Sequence, residues 1–243
     1  MISEQRAPAK LNLELLVLGR LPDGSHEVAT VLQAIDLTDR LSIEPGPETS
    51  LAVGGRFAVP TGTDNLVLRA AAEIGFSARF ALDKSIPPGA GLGGGSSDAA
   101  AVLREAGGGR GDLLEIAGRL GADVPFFLRG GRARATGRGE VLQPLEMESG
   151  WYALAWPGFE LSTAAVYQAW DRVGGDGRNQ LFRAACEVEP RLADFAAELG
   201  DGWVMTGSGS AFFREAADET EARRLVAGRA GWTAVAAALP AWG

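Results

Sequence analysis

At 243 residues the chain has room for one large domain or two small ones, and its 46% hydrophobic and 22% charged residues are ordinary for a globular protein. A formal net charge of −8 repels phosphate backbones and anionic lipid, so any anion must be held by a local site and nucleic acid is not an expected partner. One cysteine, Cys186, and one histidine, His26, exclude a disulfide framework and a Cys/His zinc cluster, and both suit a reducing cytoplasm. The opening "MISEQRAPAKLNLELLVLGR" has no basic region leading into an apolar core, and nowhere do roughly 18 apolar residues run together as a membrane span requires. The expectation is a soluble, unsecreted protein with no membrane partner.

In chain order, "KLNLELLVL" alternates as a half-buried strand does, with Leu11, Leu13, Leu15 and Val17 on one face and Lys10, Asn12 and Glu14 on the other. "LPDGSH" is a turn, "VATVLQAIDLTDRLSIE" is extended, and "LAVGGRFAV" reads as a hairpin turning at Gly54-Gly55. "LVLRAAAEIG" has helical spacing and stops at Gly75, "FSARFALDK" alternates as a strand, and helices are expected from Ser96 through "SSDAAAVLREA" and over "DLLEIAGRLG". Strands follow at "RARATGRGEVLQPL" and "WYALAWPG". A second block then runs through the helix "STAAVYQAWDRV", one helix over "LFRAACEVEPRLADFAAELG", the strand "GWVMT", a glycine turn "GSGS", the strand "AFFRE", the helix "ADETEARRLVAGR" and the strand "WTAVAAAL". This order predicts an α+β protein of two lobes that divide near residues 140 to 150.

The segment "IPPGAGLGGGSSDAAAVL" avoids regular structure for ten residues and then starts a helix. Glycines let backbone N–H groups approach a ligand closely, and a helix start adds free amides and a favourable dipole, so the loop suits phosphate. No Lys follows the last glycine, which sets it apart from GxxxxGK[ST]. Gly89, Gly91 and Gly94 do satisfy GxGxxG, with Glu115 about 20 residues on. Pro87 and Pro88 interrupt the strand-to-loop passage, however, and no βαβ pattern surrounds the motif, which argues against a dinucleotide site.

"PPGAGLGGGSSDAA" resembles the phosphate-binding motif of the GHMP kinases, roughly P-x-x-x-G-L-G-S-S-A-A. Within that superfamily, "APAKLNLELLVLGRLPDGSHEVATVLQAIDLTDRL", "TDNLVLRAA", "GADVPFFLRGGRARATGRGE" and "TGSGSAFF", in this order over residues 7 to about 213, are similar to the kinases of the non-mevalonate isoprenoid route. Those phosphorylate the 2-hydroxyl of a cytidine-diphosphate-linked methylerythritol. The resemblance implies a β-rich N-terminal lobe over residues 1–145 that binds ATP and carries the catalytic groups, a C-terminal lobe over 146–243 that binds the substrate, and a cleft between them. It also implies ATP as phosphoryl donor with Mg2+. A different alcohol acceptor, or a non-catalytic metabolite sensor on the same fold, remains open at this stage.

Carried over residue by residue, the resemblance makes Asp123 of "GADVPFF" the base and Lys10 of "PAK" its partner, with Asn12 facing the same way as Lys10; a helix cap and a solvated strand edge are the plain alternatives. Pro87, Pro88, Gly89, Ala90, Gly91, Leu92, Gly93, Gly94, Gly95, Ser96 and Ser97 would hold the ATP phosphates, Ser97 also helping to hold magnesium. A branched side chain at Gly94 is expected to fill the space the phosphates need. Asn65 and Leu66 match the segment near the adenine or else simply begin a helix, and Lys84 either assists the phosphates or ends a strand in solvent. On the acceptor side the family pattern "DGYHE" reads "DGSHE" here, so Ser25 replaces an aromatic that stacks on the cytosine, a contact worth about 1–3 kcal/mol. His26 remains, either reading the base edge or lying in an ordinary turn. Thr163 and Tyr167 of "PGFELSTAAVYQAW" match the second stacking position, with Tyr167 equally fit for a core. Gly207 and Ser208 of "GSGS" resemble the last family motif, which brings backbone close to the substrate phosphates, and are also suited to a hairpin turn.

Overall fold

Alternation in the first 45 residues builds the two longest strands. In the computed structural model, which describes residues 1–242, β1 (Ser3–Arg20) runs antiparallel to β2 (His26–Pro45), with Leu11 opposite Gln33 and Asn12 opposite Leu32. A bulge between Asn12 and Glu14 breaks the alternation, and Lys10 and Asn12 are buried along with Leu11, because the strand's polar side also faces protein.

The expected hairpin at Gly54-Gly55 does not form. β3 (Ser50–Gly55) pairs in parallel with β4 (Ala78–Lys84). Gly55, at φ +89°, presses so closely on Lys84 that a Cβ would lie 2.5 Å from the Lys84 amide nitrogen, and Arg56 and Phe57 then donate to the Lys84 carbonyl. The chain therefore leaves the sheet over the end of β4 instead of folding back on itself. Between these strands, α1 (Leu66–Glu73) is capped by Asn65, whose side chain accepts from the Val67 amide, and it ends before Gly75 at φ +66°.

After β4 comes the glycine loop, then α2 (Gly94–Ala106), α3 (Leu113–Leu120) and α4 (Val124–Arg129). Helix α2 starts at Gly94, two residues before Ser96, because Gly93 takes φ +74° at the N-cap. The short α4 is not foreshadowed by periodicity; Pro125 in its first turn fixes a helical φ. The hairpin β5 (Arg132–Thr136) and β6 (Val141–Pro144) completes a six-stranded sheet ordered β3-β4-β2-β5-β6, with β1 on β2. One cluster of buried side chains, including Leu32, Ile43, Phe80, Val102 and Phe127, joins this sheet to α1–α4.

A second, four-stranded antiparallel sheet is built from β7 (Trp151–Trp156), β8 (Val204–Met205), β9 (Phe212–Ala216) and β10 (Trp232–Ala237), in the order β10-β7-β9-β8. Helices α5 (Thr163–Val173), α6 (Phe182–Val188), α7 (Arg191–Leu199) and α8 (Glu219–Val226) accompany it. The single helix expected over 181–200 is two, because Pro190 lacks an N–H and drives Glu189 into extended backbone.

The two layers are not independent. Leu15 and Val17 of β1 belong to the apolar cluster of α5–α7, while Leu11 and Ile35 pack with Leu154 and Phe213 of the second sheet. The C-terminal segment returns to the first lobe: Leu239 donates to Ala34, Trp242 donates to Arg129, and the Trp242 ring lies beneath the Arg104 guanidinium. The result is a two-lobed α+β fold with its seam along β1. Among the described residues no helix is long and apolar enough to cross a membrane.

Candidate active site

The glycine loop divides its residues by chemistry. Ile86, Ala90 and Leu92 are buried and anchor it in the apolar cluster between the two sheets, which leaves the intervening backbone facing a cleft of about 370 Å³. Residues 87 to 96 all line that cleft, as do Lys10, Asn12, Leu66, Asp123, Thr163, Tyr167, Gly207 and Ser208. Helix α2 begins with no side-chain cap, so the amides of its first turn are left to the cleft.

Lys10 sits at the floor. Its ammonium donates to Asn12 Oδ1 at 2.5 Å and to the Gly91 carbonyl at 2.8 Å, and lies 3.6 Å from Asp123 Oδ2. The lysine side chain is 4% exposed while the aspartate is 35% exposed, so the cation is held from behind and the carboxylate faces the opening. Asp123 stands at the N-cap of α4, yet its side chain makes no cap hydrogen bond, which leaves both carboxylate oxygens available. Asn12 is itself fixed: its amide nitrogen donates to Thr30 Oγ1 at 2.8 Å and its backbone N–H to Thr206 Oγ1 at 2.9 Å.

The second glycine turn closes onto the first. A Cβ on Gly91 would lie 2.2 Å from the Thr206 carbonyl, and one on Gly207 would lie 3.2 Å from the Lys10 ammonium. Both glycines adopt positive φ, so close approach and backbone conformation together demand the residue. Ser208 and Thr163 share a hydrogen bond of 2.8 Å between their hydroxyls. Asn179, which the sequence reading missed, holds the turn by donating to the carbonyls of Met205 and Gly207 at 2.6 and 2.9 Å. A lone Asn between a loop and a helix carries no sequence signal for that task.

Several expected residues lie elsewhere. Lys84 is neither in the cleft nor in solvent: its side chain is 2% exposed and its ammonium joins Asp39 at 2.5 Å and Asp98 at 2.7 Å. Asp39 also accepts from the amides of Ser85 and Ile86, so one buried network grips the glycine loop at both ends. Burial by itself would lower the Lys84 pKa, but the two carboxylates overcome it and raise it; burial pushes the Asp98 carboxyl up to about 7. Ser97 is fully buried with no partner for its hydroxyl, and the serine lining the cleft is Ser96. Asn65 spends its side chain on capping α1 and on the Pro60 carbonyl, leaving Leu66 to line the cleft. A Cβ on Gly94 would point at the Lys84 ammonium and Ile86, at 2.9 and 3.0 Å, and not into the phosphate space; Gly95 is the open position, with only Leu66 near at 3.6 Å.

A side recess of about 320 Å³ adjoins the cleft, with Tyr167 and Arg138 lining both spaces and Ser25 and His26 the recess alone. Ser25 bonds to Asp23 at 2.5 Å and offers no flat surface. Tyr167 is neither wholly core nor free: the His26 imidazole stacks on it at 4.8 Å, and burial pushes its hydroxyl up to about 12. Arg138, at the tip of the β5–β6 hairpin, was not singled out from "GRGE", since a turn arginine is ordinarily just solvated.

Comparison with known proteins agrees with this geometry. Residues 65–131 match the GHMP kinases N terminal domain. A 4-diphosphocytidyl-2-C-methyl-D-erythritol kinase of Thermus thermophilus is 37% identical, the alignment covering 99% of this chain and 94% of that one. The kinase of the same name from Aromatoleum aromaticum is also 37% identical, over 91% of this chain and 87% of the relative. The crystal structure of a 4-(cytidine 5'-diphospho)-2C-methyl-D-erythritol kinase superposes with a TM-score of 0.81 at 36% identity, covering 97% of this chain and 99% of that one. By sequence along almost its whole length and by fold, this chain belongs to the 4-diphosphocytidyl-2-C-methyl-D-erythritol kinases within the GHMP kinases.

Proposed function

We propose that the chain transfers the γ-phosphoryl group of ATP to the 2-hydroxyl of 4-diphosphocytidyl-2-C-methyl-D-erythritol, with Asp123 as the base and Lys10 as its electrostatic partner. The observation that carries this reading is the Lys10–Asp123 pair, 3.6 Å apart, at the foot of an uncapped glycine loop in one cleft. Asp123 takes the proton as the acceptor oxygen bonds to phosphorus and the bond from phosphorus to the β-phosphate oxygen breaks. Lys10, held by Asn12 and Gly91, meets the charge on the moving group, and the amides of the loop and of the α2 start hold the remaining phosphates.

Magnesium typically keeps few protein ligands and binds through nucleotide phosphates and water, which fits a cleft where Ser96 supplies a hydroxyl. When bound there it supplies charge neutralisation to the phosphates. Arg138 borders both the cleft and the recess, which suits the diphosphate of the acceptor. In this reading residues 1–145 form the ATP-binding and catalytic lobe and 146–243 the substrate lobe, except that Leu239 and Trp242 pack back on the first. The test is ADP release coupled to a reporter, with the cytidylyl compound compared against mevalonate, homoserine and galactose. Turnover confined to the cytidylyl compound supports the assignment; faster turnover of another alcohol, or ATP binding without turnover of any, overturns it.

A further inference from the structure

Helix α5 presents Tyr167, Trp170 and Asp171 at i, i+3 and i+4, hence on one face, and all three enclose the imidazole of His26. Tyr167 stacks on the ring with planes 25° apart, Trp170 meets it edge-on at 5.8 Å, and Asp171 Oδ1 lies 2.7 Å from Nε2. The His26 side chain is only 7% exposed, so its orientation is decided by these neighbours. Arg20 approaches the other oxygen of Asp171 at 3.7 Å, and the hydrogen bond from His26 holds the Asp171 carboxyl below its usual range.

A carboxylate accepts hydrogen bonds and does not donate, so the hydrogen of a neutral imidazole facing it resides on Nε2. Nδ1 is then a bare acceptor. It has no partner among the described residues, and the ring borders the recess beside Ser25, Tyr167 and Arg138. The 4-amino group of a cytosine donates to such an atom, whereas the 4-carbonyl of a uracil presents lone pairs to it. With Ser25 unable to stack and its hydroxyl committed to Asp23, discrimination between the two bases falls on this edge.

We infer that Asp171 is a specificity-determining positioning residue: by fixing His26 as the Nε2–H tautomer it makes Nδ1 an acceptor that selects a cytidine over a uridine diphosphate. The inference rests on the acceptor assignment proposed above. Because the chain has one histidine, a nitrogen-15 spectrum of the whole protein reports this imidazole alone. At about pH 8 that spectrum is expected to show the Nε2–H tautomer. Calorimetric titration with cytidine diphosphate and with uridine diphosphate, the ATP site being saturated by a non-hydrolysable analogue, is expected to favour cytidine by about tenfold or more.

In Asp171→Ala the tautomers mix and the preference shrinks to within about threefold, while Asp171→Asn, whose amide oxygen can still accept from Nε2, restores both. The tautomer spectrum also separates loss of positioning from loss of structure. A doubly protonated ring in the unaltered protein, or an Asp171→Ala protein that keeps the Nε2–H tautomer or the full preference, overturns the role of Asp171 alone. An unaltered protein that binds neither diphosphate, or both equally, overturns the acceptor assignment and this inference with it.

Discussion

Replacing Lys84 by Met tests whether the buried network beneath the glycine loop carries its shape. Lys84, Asp39 and Asp98 have side chains 2%, 0% and 4% exposed, so removing the cation leaves two carboxylates with almost no water to turn to. Breaking a buried pair in this way costs about 3–5 kcal/mol, against about 0–1 kcal/mol for an exposed pair. Asp98 has an escape, because its carboxyl is already pushed up to about 7 and can take a proton. Lys84 lowers that value, so its removal lifts the Asp98 carboxyl further; the loss is therefore largest well above pH 7 and eases on acidification towards pH 7, by up to about 1.4 kcal/mol per pH unit, where Asp98 is protonated in the variant and still ionised in the unaltered protein. Urea unfolding followed by tryptophan fluorescence, with six tryptophans to report, measures it at pH 7 and pH 9. The triple variant Asp39→Asn, Lys84→Met, Asp98→Asn carries no stranded charge and is expected to recover much of the loss. A cost below about 1 kcal/mol at pH 9, or one that does not change between pH 7 and pH 9, would refute the reasoning.

Asp123→Asn is expected to lower kcat by about 100-fold or more with ATP affinity nearly unchanged, which steady-state kinetics and nucleotide titration check together. Gly95→Val has room in the fold yet intrudes on the cleft, so it weakens nucleotide binding at near-normal stability; Gly94→Val drives against Lys84 and Ile86 and shows itself first as a lowered Tm. In the unaltered protein, folded Asp98 keeps its proton up to about 7 while the unfolded chain releases it near an ordinary aspartate's 3.8. Stability then falls as pH rises between those values, and Asp98→Asn flattens that part of the curve in a pH series of unfolding midpoints.

Much of the local structure was legible because its causes are local. The period-2 run at β4 is buried and exposed in strict alternation, and Gly75 and Asn65 bound α1 as cap chemistry requires. Legibility failed where a distant partner took over. The turn at Gly54-Gly55 leads into a parallel pairing with β4 because the end of β4 receives the chain, and no signal within "LAVGGRFAV" encodes that. Lys84 reads as a strand end because Asp39 and Asp98, which make it interior, are 45 and 14 residues away.

The sequence alone determined the α+β order of elements, the presence of an amide-rich loop running into a helix, and the set of polar residue types from which a site could be assembled, since turn chemistry, hydrophobic period and glycine content act over a few residues. Only the tertiary structure decided which of those groups meet. It set Lys10 beside Asp123, far along the chain, turned Ser96 outward and Ser97 inward, and laid α5 against His26. Such pairings follow from how two sheets and their helices close over shared apolar clusters, and the free energy of that closure comes from burial summed over the whole chain, which no short stretch of residues contains.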